Sequence, residues 1–385
     1  MRAFKYKLNL KRHQERTLHA WMGTCRCLYN LALHQKESTD YRNHKITKNM
    51  QDRELPALKA DFPFFKEVPS QVLQQTLENL DRAYQMFFKG VGDYPVYKKK
   101  FKNEPGLRFP QGVRLLEHNN PKKGLIQLPK IGKLKFFKSR EILGKIKSAT
   151  IVKEADGYYI SFLTDYDEVS RVKNGKHALG IDLGVKISIA TSDSVAFNLD
   201  IKKIKLLEKK KKVLQRKLAE KTVKSNNWSK LLKKINRLDR RITYIRNDFH
   251  WKTAREIAKN HGLIAVEDLK IKNMSKSAKG TVDEPGKNVA AKSGLNKAIL
   301  DQAWGMFTLK LEWMAKKFGS EVVCVDSKFS SQTCSKCEHK DGKNRQSQNV
   351  FACRACGHSE NADFNAAKNL LARGLRVNAL KAACG

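Results

Sequence analysis

The chain has 385 residues, with 77 Lys and Arg against 38 Asp and Glu, a formal net charge of +39 and a sequence pI near 9.9. This excess is larger than solubility requires and predicts a polyanionic partner, because cations that neutralise phosphates release condensed counterions. We find no apolar run of about eighteen residues and no signal peptide, and the basic residues are not clustered beside a span. Nucleic acid is therefore favoured over a membrane, and we expect a cytoplasmic protein.

The first part of the chain changes from a strand to helices and then to short strands. Residues 2–10 alternate apolar and polar, which predicts a half-buried strand, and the helical period begins near residue 12. A second helix follows Pro69-Ser70, and beyond residue 91 Gly and Pro separate short apolar runs. We expect the first strand to join this sheet. Residues 12–90 would then be a helical insert in a β-barrel-like domain formed by residues 1–11 and 91–177.

From residue 178 the pattern becomes α/β. Three short strands precede two long helices, and in the second helix apolar residues from Trp228 to Phe249 step by three and four, which predicts a coiled-coil hairpin at about 201–261. The first helix offers Leu206, Leu207, Val213, Leu214 and Leu218 as partners. The remaining predictions are a strand at 263–267, a mobile loop at about 270–294, a helix at 295–318, a strand at 321–326 and a final helix at about 362–373.

Three acidic residues suit metal-bound catalytic carboxylates. Asp182 ends a buried strand between two glycines, Glu267 ends another buried strand, and Asp363 begins a helix. The three are 85 and 96 residues apart, so only folding could bring them together. Ligands of open α/β sheets bind at the carboxyl ends of strands, and clustered carboxylates can hold two Mg²⁺ ions for phosphodiester cleavage. Taken singly, an Asp after a strand is often only a turn former, and an Asp at the start of a helix is often an N-cap.

Four of the eight cysteines have the spacing of a zinc ribbon. Cys334 and Cys337 form one Cys-x-x-Cys pair, and Cys353 and Cys356 form another after fifteen residues. Four thiolates predict a structural Zn²⁺ site at residues 330–360, because no coordination position remains for water. The other cysteines show no disulfide framework, which favours a reducing compartment. They are Cys25, Cys27, Cys324 and Cys384.

A lysine run beside aromatic residues suits single-stranded nucleic acid, because bases stack on rings while lysines contact phosphates. The lysines are Lys98, Lys99 and Lys100, next to Tyr94, Tyr97 and Phe101. A solvated lysine loop is the alternative interpretation.

Several motifs resemble those of TnpB (OrfB), the accessory nuclease family of bacterial insertion-sequence transposons, related to type V CRISPR effectors. They occur in the family's order: GIDLGVKISIA, IAVEDLKI, SSQTCSKC, FACRACGH and ADFNAAKNL. CRCLYNLAL and PSQVLQQTLENLDRAYQMFF also look like its N-terminal helical region. One departure concerns the usual Asp-Arg-Asp, which here reads Asn361-Ala362-Asp363. If the family's Arg holds substrate phosphate, cleavage is expected to be weaker.

The resemblance implies a multidomain α+β and α/β protein with a wedge-like β-barrel, an inserted helical recognition unit and a RuvC (RNase H-like) domain at 178–329. The zinc ribbon would follow at 330–360, and the last RuvC helix and tail at 361–385. Asp182, Glu267 and Asp363 would be catalytic and would bind Mg²⁺. The implied activity is cleavage of double-stranded DNA beside a short adjacent motif, guided by RNA from the transposon end and carried out near the bacterial nucleoid. Gln71, Gln74 and Gln75 could read adenines of that motif through their amides, or form a polar helix face.

Three alternatives remain open at this point. The chain could be a compact type V CRISPR effector, a non-cleaving RNA-guided repressor, or an unguided transposase or resolvase. The sequence leaves the oligomeric state open, with a monomer favoured.

Overall fold

The computed structural model describes residues 1–38, 46–100, 104–166, 174–281 and 283–384, with side chains described as far as residue 380. The chain forms two compact units, Met1–Asp167 and Glu168–Gly385. Within the described ranges, no helix combines the length and apolarity that crossing a bilayer requires.

The first unit contains a seven-stranded antiparallel sheet with helices between its first two strands. The strands are β1 (Arg2–Asn9), β2 (Leu107–Phe109), β3 (Arg114–Leu116), β4 (Lys123–Leu128), β5 (Gly132–Phe137), β6 (Ile146–Glu154) and β7 (Gly157–Thr164). Their order in the sheet is β2-β6-β7-β1-β5-β4-β3. The first strand therefore joins the sheet, as its alternation predicts, and lies at its centre between β7 and β5. In the described residues β2 and β3 are the two ends of this order, so a closed barrel stays a prediction.

The core of this unit follows from the alternation of β1. Phe4, Tyr6 and Leu8 are buried, and the Tyr6 ring lies 5.2 Å from the Phe136 ring and 5.9 Å from the Phe162 ring. The helices are α1 (Arg12–Ser38), α2 (Lys48–Asp61), α3 (Phe64–Glu67) and α4 (Ser70–Phe88). The sequence predicted α1 and α4 but not α2, because Pro56 interrupts the helical pattern there. Domain boundaries at residues 11, 90 and 177 stay predictions.

The second unit contains a five-stranded mixed sheet. Its strands are β8 (Ala178–Asp182), β9 (Ile189–Thr191), β10 (Ala196–Phe197), β11 (Leu263–Glu267) and β12 (Glu321–Val325), in the order β10-β9-β8-β11-β12. The strands β8, β11 and β12 are parallel, whereas β9 and β10 are antiparallel to their neighbours. A separate hairpin of β13 (Val350–Ala352) and β14 (Ser359–Asn361) lies within the cysteine-rich segment.

The helices of this unit depart from the sequence predictions in three places. They are α5 (Ile201–Ala219), α6 (Asn226–Asn260), α7 (Ile271–Met274), α8 (Val289–Gln302), α9 (Trp304–Phe318) and α10 (Ala362–Cys384). The predicted helix at 295–318 is two helices, because Ala303 has a left-handed backbone (φ 53°). The final helix extends to Cys384 rather than ending near 373. The predicted loop at 270–294 contains α7 and the start of α8, and its Val282 lies outside the described residues.

The coiled-coil hairpin predicted at about 201–261 is formed by α5 and α6. Ile204 and Leu207 of α5 are buried with Ile242 of α6. Two predicted partners face solvent instead: Leu206 is 54% exposed and Val213 is 50% exposed. The spacing of three and four residues therefore predicted the buried face of α6 correctly. On α5, however, the predicted buried face included residues that are exposed.

Candidate active site and metal centre

Two of the three predicted carboxylates meet at one edge of the mixed sheet. Asp182 ends β8 and Glu267 ends β11. These strands are parallel neighbours with Ile181 opposite Val266, so the next residue of each strand leaves the sheet at the same edge. Carboxyl ends of parallel strands meet in this way.

Helix α10 brings the third carboxylate to this edge. It packs across β8 and β11, and two glycines allow its close approach. A Cβ on Gly180 would lie 2.0 Å from the Ala367 carbonyl oxygen, and one on Gly374 would lie 2.4 Å from the Ala265 Cβ. Asp363, in the first turn of α10, is 8% exposed. Its Oδ2 would be 3.8 Å from a Cβ on Gly184, in the loop that follows Asp182.

Burial raises the pKa values of all three carboxyl groups. Burial, followed by the charges of Glu267 and Asp363, raises the pKa of Asp182 well above its ordinary value. Burial also raises the pKa of Glu267 to about 7, although a hydrogen bond from the Leu183 N–H to Glu267 Oε1 (2.8 Å) partly opposes the change. Burial raises the pKa of Asp363 as well. Three acids that resist ionisation together form a site that would gain from a cation.

Two basic residues beside the carboxylates were missed by the sequence reasoning. The Arg345 Nη2 lies 3.7 Å from the Asp363 Oδ1. Arg345 and the exposed Lys186 both oppose the rise in the pKa of Asp363. Arg345 comes from the segment between the cysteine pairs, where no periodicity marks it. Lys186 could have been identified from the sequence, because it lies only four residues after Asp182.

The four cysteines of the ribbon converge as predicted. Their Sγ atoms all lie within 4.8 Å of one another, with 3.7 Å between Cys334 and Cys356 and 3.6 Å between Cys337 and Cys353. Four thiolates at about 2.3 Å from a tetrahedral Zn²⁺ would be about 3.8 Å apart, so these distances fit zinc. Among the described residues, the carboxylates do not form a second set that converges as tightly.

Both cysteine pairs have the same backbone geometry. The Cys334 N–H donates to the His339 carbonyl (3.0 Å), and the Cys353 N–H donates to the His358 carbonyl (2.8 Å). The residue after each pair has a left-handed backbone, at Glu338 (φ 61°) and at a glycine, Gly357 (φ 70°). Such turns direct backbone N–H groups toward the thiolates.

The candidate nucleic-acid residues lie in the first unit. Gln71 and Gln75 are partly exposed and Gln74 is exposed, all on α4, and the Gln71 amide donates to Gln111 Oε1 (3.1 Å). These positions fit both a solvated polar helix face and a surface that contacts DNA bases, so the role of the three glutamines stays a prediction.

Lys98, Lys99 and Lys100 differ in exposure. The Lys98 Nζ lies 4.0 Å from the centre of the Tyr29 ring, and burial lowers the pKa of Lys98. Lys99 and Lys100 are exposed. Phe101 lies outside the described residues. Lys98 thus packs within the helical unit, and phosphate contacts by the run stay a prediction.

Comparisons with known proteins match the whole chain. One relative, from Escherichia coli K12, is named "Putative RNA-guided DNA endonuclease InsQ" and is 38% identical over 100% of this chain and 94% of its own length. Family models match as a probable transposase of the OrfB type (residues 161–278), a Cas12f1-like TNB domain (304–370) and a helix-turn-helix domain (1–45). The chain belongs to the TnpB (OrfB) family.

More distant likenesses agree with this TnpB assignment. A mimivirus protein named "TnpB-like protein L79" is 26% identical, covering 72% of this chain and 53% of its own length. A cryo-EM structure of a Cas12f1-sgRNA-target DNA complex has a TM-score of 0.51 at 13% identity, covering 96% of this chain and 98% of that one. That structure supports the mixed α/β, multidomain fold of this TnpB-family chain. In the described part of the helix-turn-helix match, residues 1–38 form a strand and one continuous helix.

Proposed function

We propose that this protein is a metal-dependent, RNA-guided DNA endonuclease of the RuvC type, with Asp182, Glu267 and Asp363 as its catalytic residues. The observation that carries the proposal is the placement of these three carboxylates. They come from segments 85 and 96 residues apart, yet the pKa values of Asp182 and Glu267 are each affected by the other two carboxylates. Placed acids with raised pKa values are typical of functional sites.

The sheet supports the RuvC assignment. Three antiparallel strands, β10, β9 and β8, are followed in the sheet by two strands parallel to β8, which is the arrangement of RNase H-like nucleases. The helical hairpin of α5 and α6 enters between β10 and β11. In this proposal the catalytic edge is formed by β8 and β11, and the hairpin is an insertion between β10 and β11.

The donor set fits Mg²⁺, because this hard cation prefers carboxylate oxygens and its charge would offset the repulsion among three buried acids. Asp182, Glu267 and Asp363 would hold the ions. Two bound Mg²⁺ ions would activate the attacking water and stabilise the leaving oxygen.

The protein groups around the carboxylates have separate tasks in this scheme. The Leu183 N–H fixes Glu267 Oε1 and so sets the direction of that carboxylate. Arg345 and Lys186 supply positive charge where the substrate phosphate would bind. Arg345 would thus offset the loss of the family's usual arginine at position 362. The products would carry a 5′-phosphate and a 3′-hydroxyl.

We infer RNA and double-stranded DNA as partners. Support comes from the relative named as an RNA-guided DNA endonuclease, from the Cas12f1 complex with sgRNA and target DNA, and from the net charge of +39. The hairpin segment 201–260 alone contains 21 Lys and Arg against 5 Asp and Glu. The guide would come from the transposon end, the target would carry a short adjacent motif, and the protein would act at the bacterial nucleoid.

The test is cleavage of a plasmid library. The protein would be purified with its co-expressed RNA, that RNA sequenced, and Mg²⁺ added with a matched target beside a randomised flank. Parallel samples would carry Asp182→Ala. Cutting that requires the matched guide, one flank and Asp182 supports the proposal.

Other outcomes decide between the alternatives. Tight RNA and DNA binding without cutting would favour a non-cleaving repressor. Cutting without any RNA would favour an unguided nuclease. A co-purified RNA with a repeated, array-derived end would favour a CRISPR effector over a transposon-encoded one.

A further inference from the structure

The zinc ribbon leads directly into the helix that carries Asp363. Asp363 lies seven residues after Cys356, and the connection is strand β14, which pairs with β13 next to Cys353. The Ala362 N–H donates to the Asn349 carbonyl (3.0 Å), and the Asp363 N–H donates to Asn361 Oδ1 (2.9 Å). The start of α10 is therefore held by hydrogen bonds to Asn349 of the ribbon and to Asn361, the last residue of β14.

A second connection runs from α10 back to the first cysteine pair. Asn365 is completely buried, and its side chain makes two hydrogen bonds across Cys334. The Asn365 Nδ2 donates to the Thr333 carbonyl (2.8 Å), and the Ser335 N–H donates to Asn365 Oδ1 (2.9 Å). Both polar groups of the Asn365 amide thus form hydrogen bonds with the backbone on either side of Cys334, a predicted zinc ligand.

Asn369 repeats the connection one helical turn later. Residues four apart lie on the same face of a helix, so Asn365 and Asn369 point to the same part of the ribbon. Asn369 is 8% exposed, and its Nδ2 donates to the carbonyls of Ser330 (2.8 Å) and Thr333 (2.7 Å). Removing a buried donor would leave these carbonyls without this partner, which typically costs about 1–3 kcal/mol.

The Glu360 carboxylate connects both cysteine pairs to α10. Glu360 of β14 accepts hydrogen bonds from Ser335 Oγ (2.9 Å) and from His358 Nε2 (2.9 Å). It also pairs with Lys368 of α10. The ribbon and the first two turns of α10 therefore form one hydrogen-bonded body.

We propose that the zinc ribbon positions the third catalytic carboxylate, and that Asn365 and Asn369 are the positioning residues through which it does so. Zinc would fix Cys334 against Cys356, and the amides would transfer that fixed geometry to α10. This inference rests on the proposed role of Asp363 in metal binding. It assigns the ribbon a part in assembling the carboxylate site in addition to its own folding.

The test compares Asn369→Ala and Asn369→Leu with Asn378→Ala, the same type of substitution further along α10. Leu keeps the size of Asn but cannot donate, so it separates the effect of the hydrogen bonds from that of packing. Each protein would be checked for one zinc per chain and for target binding with its RNA. The readouts are Mn²⁺ binding by electron paramagnetic resonance and the Mg²⁺ concentration that gives half-maximal cleavage.

We expect both Asn369 variants to keep zinc and target binding but to need at least about tenfold more Mg²⁺ or Mn²⁺, the size of effect typical of groups that orient metal ligands. Asn378→Ala should match the wild type. Wild-type metal requirements in both Asn369 variants would overturn the positioning role, and so would lower stability with an unchanged metal requirement. A wild-type protein that neither binds Mn²⁺ nor cleaves would instead remove the proposed function itself.

Discussion

At the scale of residues, ionisation of the three carboxyl groups of the candidate site lowers the stability of the folded protein. Asp182, Glu267 and Asp363 are buried near one another, and each has a raised pKa. A raised pKa in the folded state means that ionisation opposes folding. At Asp363, the charges of Arg345 and Lys186 offset only part of the effect of burial.

Glu267→Gln should therefore stabilise the protein when no Mg²⁺ is added. The pKa of Glu267 rises from 4.5 to about 7, so the cost is absent below pH 4.5 and fully present above pH 7. At about 1.4 kcal/mol per pKa unit, the gain could reach about 3 kcal/mol at pH 8 and should shrink as the pH falls toward 5. Thermal unfolding at several pH values measures it.

A matched control is Glu256→Gln on the exposed face of α6. It should change the unfolding temperature little at either pH. If Glu267→Gln is less stable than the wild type at pH 8, or if its advantage does not depend on pH, the cost of ionising the buried Glu267 is overstated.

The residue scale also shows what a sequence can and cannot locate. Asp182 and Glu267 could be placed together because each ends a buried strand, and parallel strands share an edge. Arg345 could not, because it reaches Asp363 from an aperiodic segment between cysteine pairs. Asn365 and Asn369 had a signal in their four-residue spacing, but their partners are backbone carbonyls, which no sequence pattern identifies.

At the scale of elements, the approach of α10 to the sheet determines whether the third carboxylate is present at the site. Gly180 and Gly374 leave room for the helix backbone, and any side chain at Gly180 would meet the Ala367 carbonyl. Gly180 therefore serves the packing of α10 against the sheet.

Gly180→Ala should destabilise the second unit by about 2–3 kcal/mol and reduce cleavage, because overpacking displaces α10. Gly294→Ala is the control, since a Cβ there meets nothing within 4 Å and the residue lies within α8. That variant should gain about 0.5–1 kcal/mol from helix propensity. Equal stabilities for the two variants, measured by thermal unfolding, would contradict the packing described.

The ribbon should bind one zinc per chain, and Cys353→Ser should lower the zinc content well below one per chain, because three thiolates and a hydroxyl hold zinc more weakly. Elemental analysis of the purified protein measures the metal. Cys27→Ser, on α1, should keep full zinc content. Zinc retained by the Cys353 variant would mean that another residue completes the site.

Element boundaries depended on conformations that composition does not reveal. Ala303 divides the predicted helix at 295–318 through a left-handed backbone, which the sequence does not mark because alanine favours helices. Helix α2 was missed for the opposite reason: Pro56 suggests a break in the helix, but the helix continues through it. The long seam of α6 was predictable because it repeats over six steps.

At the scale of the whole molecule, charge is distributed unevenly enough to suggest where nucleic acid binds. The α5–α6 segment carries a net charge of +16 of the total +39. Lys209, Lys210 and Lys212 are exposed on α5. Charge of this density favours phosphate contacts whose strength falls as salt rises.

Replacing Lys209, Lys210 and Lys212 together with Ala should weaken RNA binding and make the salt dependence shallower. The slope should fall by about 0.7–0.9 for each phosphate that the protein no longer neutralises. It is measured from affinities at several salt concentrations. The triple Arg variant at the same positions should keep the wild-type slope. An unchanged slope in the Ala variant would place the RNA elsewhere on the chain.

The most direct test of the central claim is single-turnover cleavage of a matched target in Mg²⁺ by the wild type and by Asp182→Asn, Glu267→Gln and Asp363→Asn. Each protein would be loaded with the same RNA, and target binding would be measured separately. We predict that each amide variant binds target within about twofold of the wild type but cleaves at least about a thousandfold more slowly, a loss within the range that placed catalytic groups supply. Cleavage near the wild-type rate by any one variant would contradict a single site built from all three carboxylates.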